Sequence, residues 1–332
     1  MQLYSRHVFI MDKCKDFLPD YLRFAKGLVD SPDLPLNISR EVLQQSREVK
    51  VIGKALEKNI LKQLNKMLKD ERDKYEEFWR EFGKSLKIGV YNSMFDTKLK
   101  DSLKDLLIFP TSKEKFSTLA EYVERMPDFQ KKIYVAVGKD ASAIEQLPQM
   151  ELLRDRGLEV IYLTDPVDEF VIDVLRNYAE KDFQSITREN FELDDAESQK
   201  TKAEVEEIAK SHEDLLKDVK EAIGDPVHEV KLSSKLKSSA VCLVTGENSP
   251  SLSMEKTFAA MNNPMFKAVQ ILELNPNHAV FKKLEALHAQ NKDSADFKDL
   301  CTTLYSLALL IEGVMPNKPA EFANKITELI TK

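Results

Sequence analysis

The chain has 332 residues, of which 42% are hydrophobic and 32% charged, and it carries a formal net charge of −7. That length supports two or three domains with separate cores, and the acidic balance excludes a dedicated nucleic-acid binder, which needs a basic excess to displace counterions. No apolar run reaches the ~20 residues that span a bilayer. Met1-Gln2-Leu3-Tyr4 has neither the basic nor the apolar region of a signal peptide, so no membrane contact and a cytoplasmic location are expected. The three cysteines, Cys14, Cys242 and Cys301, are odd in number and far apart, as free thiols in a reducing compartment would be.

In chain order, His7–Ile10 predicts a short strand and Phe17–Leu28 a helix with a broad apolar face. After a proline-containing loop, Ser39 is placed to cap a long helix running to about Leu68. Its stripe of Val49, Ile52, Leu56, Ile60, Leu64 and Met67, spaced three or four apart, marks one buried face. Tyr75–Phe82 and Lys98–Leu107 continue as helices, with Trp79 packing among them. Strand Ile133–Val137, a helix near Ala143–Arg156, a C-cap at Gly157 and strand Glu159–Leu163 form a βαβ unit with parallel strands. Asp165-Pro166 opens a further helix, with the carboxylate as cap, through Phe170 to Tyr178. Phe183–Ile186 reads as another strand.

Between about Glu189 and Glu221 carboxylates and lysines dominate, as in a linker or a solvated helix, and the main domain boundary is expected there. Beyond it Val227–Leu232, Ala240–Val244 and Gln270–Leu274 predict a small mixed sheet, and helices dominate from Ala279 onward. The fold class is therefore α/β and α+β.

Only 9 glycines are present, and the glycine-rich patterns that cradle phosphates are absent. Gly138-Lys139 lacks the first glycine and the hydroxyl residue of such a loop and reads as a strand-to-helix turn. No nucleophile–base constellation occurs, which argues against a self-sufficient enzyme with a βαβ active site near Gly138 and Asp165. The five histidines show no metal-ligand spacing, so no metal site is expected.

Three stretches carry possible function. Arg40 stands in the first turn of the long helix, where the dipole is already positive. Either Glu41 neutralises it, or the helix start and the guanidinium form an anion site. Met254, Phe258 and Met261 share one helical face, with Met265 and Phe266 close by. That face is either core or an adaptable surface for many partners, to which flexible, polarizable methionine is suited. Leu300, Leu304, Leu307 and Ile311 form a stripe that Gly313 ends, and Leu309 and Leu310 widen it. Phe322, Ile326, Leu329 and Ile330 form a second stripe. Two such helices either pack on the preceding sheet or build a four-helix bundle with a second copy.

The run Asp33-Leu34-Pro35-Leu36-Asn37-Ile38-Ser39-Arg40-Glu41, preceded by Phe17-Leu18-Pro19-Asp20-Tyr21-Leu22-Arg23-Phe24, resembles the middle-domain signature of the ninety-kilodalton heat-shock chaperones of the bacterial HtpG class. Glu121–Met126, Thr164–Glu169 and Leu274-Asn275-Pro276 resemble the same family in the same order.

The resemblance implies the end of a middle-domain α/β layer with the catalytic loop over residues 1–65, and a helical connector over 66–110. It implies a small αβα subdomain over 111–188, a charged linker or helix over 189–224, and an α+β dimerisation domain over 225–332. It also implies that Arg40 reaches the γ-phosphate of ATP held elsewhere, with Gln44 and Asn37 beside it. Glu169, Phe170, Met254, Phe258, Met261 and Met265 would meet partly folded clients. Leu300, Leu304, Leu307, Ile311, Phe322, Ile326, Leu329 and Ile330 would form a homodimer interface.

The family's ATP and Mg²⁺ belong to an N-terminal domain that no part of this chain resembles, so neither cofactor nor ATP turnover is expected of the chain alone. Other chaperone systems are expected partners. Co-chaperones that recognise a Met-Glu-Glu-Val-Asp tail are not, because the sequence ends at Ile330-Thr331-Lys332. The alternative is a passive dimerisation scaffold without a client surface.

Overall fold

The computed structural model describes residues 1–12, 14, 17–32, 47–193, 195–260 and 267–331, with the side chains of 329 and 330 left aside. Among the described residues there are thirteen α-helices and four small sheets, a mixed α/β and α+β fold. The chain divides into two compact units.

The first unit comprises Met1–Phe109, Phe116–Glu121 and Phe170–Arg176. Strands β1 (Gln2–Ser5), β2 (Val8–Met11) and β3 (Leu28–Asp30) form a sheet of order β2-β1-β3. β1 and β2 are an antiparallel hairpin with Leu3 opposite Met11, and β3 runs parallel to β1. The helix expected over Phe17–Leu28 is not formed. Only a 3₁₀ turn at Asp20–Leu22 follows Pro19, and the chain then leaves to become β3. Pairing of Leu28–Asp30 with β1 satisfies backbone groups that a helix would otherwise use.

Helix α1 is described over Arg47–Asp70; of the predicted stripe Val49 and Leu64 are buried, Ile52, Leu56, Ile60 and Met67 are only half-buried, and Leu61 and Leu68, outside the predicted stripe, are buried instead. Val49 joins Leu3, Met11, Cys14 and Phe17 in one core. α2 (Arg72–Asn92) extends well beyond the expected Tyr75–Phe82 and buries Tyr75 and Trp79. α3 (Thr97–Lys104) is capped by Asp96, whose carboxylate accepts from Leu99 N–H at 3.1 Å. Strands β4 (Ile108–Phe109) and β5 (Ser117–Thr118) pair, and α4 (Leu119–Arg125) follows.

The second unit comprises Pro110–Lys115, Tyr122–Glu169 and Asn177–Lys332. β6 (Ile133–Val137) leads through α5 (Ala141–Glu145) and α6 (Met150–Asp155) to β7 (Ile161–Leu163). The expected single helix over Ala143–Arg156 is two short ones, because Pro148 has no N–H to continue the ladder. Gly157 adopts φ +62° at the expected C-cap, and Leu158 N–H donates back to Leu153 O. α7 (Asp168–Leu175) starts three residues later than expected. Its own Asp168 carboxylate accepts from the Asp165 N–H, reversing the predicted cap. β8 (Asn177–Tyr178) and β9 (Lys181–Ser185) complete a sheet of order β7-β6-β9-β8, in which β6 is parallel to β7 and β9.

The charged stretch is helical: α8 (Ala196–Ser211) and α9 (Glu213–Ile223). β10 (Glu229–Leu232), β11 (Val241–Thr245) and β12 (Gln270–Leu274) form the expected mixed sheet in the order β10-β12-β11. α10 (Leu252–Ala260) lies between β11 and β12 in sequence. α11 (Ala279–Asn291), α12 (Ala295–Ile311) and α13 (Pro319–Thr331) close the chain. Val241, Leu243, Leu272 and Leu274 from the sheet pack with Phe281, Leu284, Phe297 and Leu304 from the helices.

Inside this unit lies an ion pair between Lys235 and Glu273, which are 8% and 4% exposed. The Lys235 Nζ sits 3.0 Å from Glu273 Oε1, and the Ser233 hydroxyl donates to Oε2 at 2.7 Å. Removing one member of such a pair strands the other charge in the interior. Glu273→Gln is expected to cost about 3 kcal/mol in urea unfolding. The double replacement of Lys235 by Met and Glu273 by Leu should cost far less. A double variant that loses as much as the two single losses added together would show that the pair is not coupled.

Candidate functional site

Three places in the second unit bear on function. The first is α10. Ser251 caps it: the Ser251 Oγ accepts from Met254 N–H at 3.0 Å and donates to Glu169 Oε1 at 2.7 Å. Glu169 therefore holds the start of the helix that carries Met254 and Phe258. Met254 is 8% exposed and belongs to the interior, whereas Phe258 is half-buried. Met261 and Met265 lie outside the described residues. Phe170 belongs to the first unit, where it is half-buried and packs edge-to-face on Tyr91, with ring centroids 5.7 Å apart.

The second place is the α12–α13 pair. Leu300 and Leu304 are buried in the chain's own core, together with Cys301 and Ala308, and Leu307 is partly buried against it. Ile311 is 38% exposed, and the neighbouring Leu310 and Met315, absent from the predicted interface, are 39% and 66% exposed. Gly313 at φ +66° lets α12 stop, with Val314 N–H donating to Leu309 O at 2.8 Å. In α13 Phe322 and Ile326 are half-buried, and none of its described side chains is fully buried. Lys325 ties α13 to α12 through Asp299 at 2.7 Å and Thr302 at 3.3 Å. Leu329 and Ile330 fall within α13, but their side chains lie outside the description.

The third place is the region near Gly138 and Asp165 that the sequence argued against as an active site. A cavity of about 830 Å³ lies at the carboxyl ends of β6 and β7, where Gly138 and Thr164 meet β11 and the ends of α10 and α12. Beside it Glu151 clamps the 237–239 loop. Its carboxylate accepts from Lys237 N–H at 2.9 Å, Ser238 N–H at 3.0 Å and the Ser238 and Ser239 hydroxyls at 2.7 and 2.6 Å. Burial works against the charge, yet the Ser239, Ser238 and backbone donors outweigh it and hold the carboxyl at about 2. Glu312 is the opposite case. Burial pushes it up to about 7, against the Gln149 amide and the Lys256 ammonium, which favour the charged form. Neither acid carries a sequence signal, because each acquires its role from a segment distant in the chain.

Asn37, Arg40 and Gln44, on which the sequence placed most weight, lie outside the described residues. Among the described residues no group of three or more His, Cys, Asp or Glu is arranged to hold a metal ion. No described helix is long and apolar enough to cross a membrane.

The family description "Hsp90 protein" matches residues 1–332. The chain belongs to the Hsp90 family. It is 46% identical over 333 residues to the "Chaperone protein HtpG" of Clostridium botulinum (strain Langeland), covering 99% of this chain and 52% of that protein. It is 44% identical to that of Bacillus subtilis (strain 168), covering 99% of this chain and 52% of the relative. For Geobacter sulfurreducens the identity is 43%, with 99% and 51% covered. The chain thus spans about half the length of these curated Hsp90-family relatives. The motifs around Arg40, Asp165 and Asn275 fall within the matched region.

The two acids give this Hsp90-family chain opposite pH dependences. Glu151 is depressed below its ordinary 4.5, so its contribution is complete above that value and disappears as pH falls toward about 2. After solvent screening this amounts to about 1 kcal/mol, which Glu151→Gln should remove at neutral pH. Glu312 is raised from 4.5 to about 7, so the folded chain keeps a proton that the unfolded chain has released. Stability should fall by up to about 3 kcal/mol as pH rises through this interval. Denaturant titrations from pH 4 to 8 should show that slope flatten in Glu312→Gln, and an unchanged slope would contradict the assignment.

Proposed function

We propose that this chain is a client-handling and self-associating part of a longer Hsp90-family chaperone, and that Arg40 serves ATP hydrolysis performed by another part of that protein. The observation that carries the self-association is α13. An amphipathic helix that buries none of its described side chains has an apolar face, Phe322 and Ile326, left for something else. The exposed Leu310, Ile311 and Met315 at the end of α12 add apolar surface nearby in sequence. A second copy meeting these helices about a two-fold axis would bury both sets. Leu300 and Leu304 would support such an interface from behind, since they face the protomer's own core.

For clients, Phe258, half-buried on α10, is the favoured contact among the described residues. Met254 supports it from the interior. Glu169 orders the helix through Ser251, so its role would be positioning as well as contact. The printed name of the matched relatives, "Chaperone protein HtpG", favours the same reading. The three buried free cysteines fit a reducing compartment such as the cytoplasm. The runner-up, a passive scaffold, would leave Phe258 without effect on clients.

For Arg40, the always-charged, planar guanidinium suits a phosphoryl group whose charge spreads during transfer. ATP turnover by a longer protein containing this segment should fall about a thousandfold in Arg40→Ala.

Light scattering at micromolar concentration should give twice the mass of one chain. Combining Ile311→Asp with Phe322→Asp should return it to one. A native chain that scatters as a monomer at these concentrations would rule out the interface. Phe258→Ser should weaken suppression of client aggregation with little change in melting. Met254→Ser should lower stability by about 2 kcal/mol, as a buried truncation does.

A further inference from the structure

Helix α1 carries seven cations against three carboxylates, in a chain whose formal net charge is −7. Lys50, Lys54, Lys58, Lys62 and Lys66 follow one another at every fourth position, and Lys69 extends the row. All six are exposed. At a rise of about 1.5 Å per residue, neighbours in the row stand ~6 Å apart along the axis, and the row is ~28 Å long. Like charges four residues apart repel on a helix surface, so the row works against the helix that bears it.

The first unit does not neutralise this charge from within. Among the described residues, none of the six ammonium groups makes a hydrogen bond or an ion pair. Glu57, in the middle of α1, accepts from the Tyr21 hydroxyl at 2.5 Å. Glu71, whose carboxylate feels Lys66, is taken by Lys74. The charged helix α8 is built differently: Lys200 meets Glu204 and Lys202 meets Glu206, each one turn away.

A row of cations without internal counter-ions is complementary to a row of anions. The composition of the row narrows the partner. From Lys50 to Lys69 there is no aromatic ring on which a base could stack and no arginine to read one. Aromatic and arginine anchors are also what a folded protein partner would use, and lysine is depleted in such interfaces. Each step of four residues turns about 40° around the axis, so Lys50 and Lys66 stand about 160° apart. A flat bilayer cannot meet them all, whereas a flexible linear polyanion can follow the spiral. Where charge is all that the surface offers, the best occupant has an anion on every repeat unit and no side chains to place.

We infer that the lysine ridge of α1 binds linear inorganic polyphosphate, with the ammonium groups set along the phosphate oxygens as point charges. The ridge lies within the first unit, and the inference does not rest on the chaperone reading.

The test is calorimetric titration of the intact chain with linear inorganic polyphosphate and with poly-L-glutamate of the same total charge. Polyphosphate should bind the more tightly. Replacing Lys54, Lys58 and Lys62 together by Gln should weaken it about tenfold, the worth of three exposed ion pairs. Replacing Lys217, Lys282 and Lys283 by Gln makes the same change of charge in the second unit and should leave binding as it was. The α1 variant should melt no lower than the native chain, because the repulsion it removes opposes the helix. Absence of polyphosphate binding, or equal weakening by both triple variants, overturns the assignment. Equal or tighter binding of polyglutamate would give the ridge to an acidic protein segment instead. An α1 variant that melts lower would show that the lysines are partnered within the fold, and also overturns it.

Discussion

The second unit depends on one short stretch of backbone pairing. Thr245, at the end of β11, donates its N–H to Thr187 O at 2.9 Å and accepts from Glu189 N–H at 3.0 Å. These few residues continue the line of β9 onto the edge of the C-terminal sheet. Buried backbone groups must be paired, so the parallel strands and the mixed sheet meet in one register. Arg188 reinforces the join by donating to Gly246 O at 3.0 Å and to Ser249 O. From that register follow the nearness of Gly138 and Thr164 to β11, the space between them, and the start of α10 beside Glu169.

The remaining links in this unit are polar and specific. Glu151 gathers four close donors from three consecutive residues, and Gln149 donates to Leu243 O at 2.8 Å. Both acceptors and donors come from the short helical segment that Pro148 separates from α5. A continuous helix there would have carried Gln149 and Glu151 on a different path. The proline that defeats a simple helical reading is thus also what aims two side chains at the C-terminal sheet. On the far side, His212 meets Glu285 and His288 meets Asp218, each at 2.7 Å, joining α8 and α9 to α11.

What the sequence disclosed was governed by periodicity and by special backbone positions. The existence of α1, the βαβ unit, the strands at Gln270–Leu274 and Ala240–Val244, and the stops at Gly157 and Gly313 all depend on local spacing or on one residue's φ, whereas the buried face of α1 includes Leu61 and Leu68, which the predicted stripe left out. Phe17–Leu28 misled because apolar density resembles a helical face even where strand pairing with distant Gln2–Tyr4 prevails. The α12 stripe was legible as apolar, but spacing cannot distinguish a face turned to the chain's own sheet from one turned outward. Leu300 and Leu304 go inward, and Leu310 and Met315 outward. Glu312 and Thr245 had no pattern to betray them, since their surroundings arise only when β11, α10 and α12 converge.

Lys325 is the fastener between α12 and α13. The helix it secures has no fully buried described side chain, and its links to Asp299 and Thr302 are exposed to ions over a screening length of about 8 Å at physiological salt. The leucines and phenylalanines beneath α12 feel no such screening. Rising ionic strength is therefore expected to weaken the hold on the final helix before it touches the sheet and the helices packed on it.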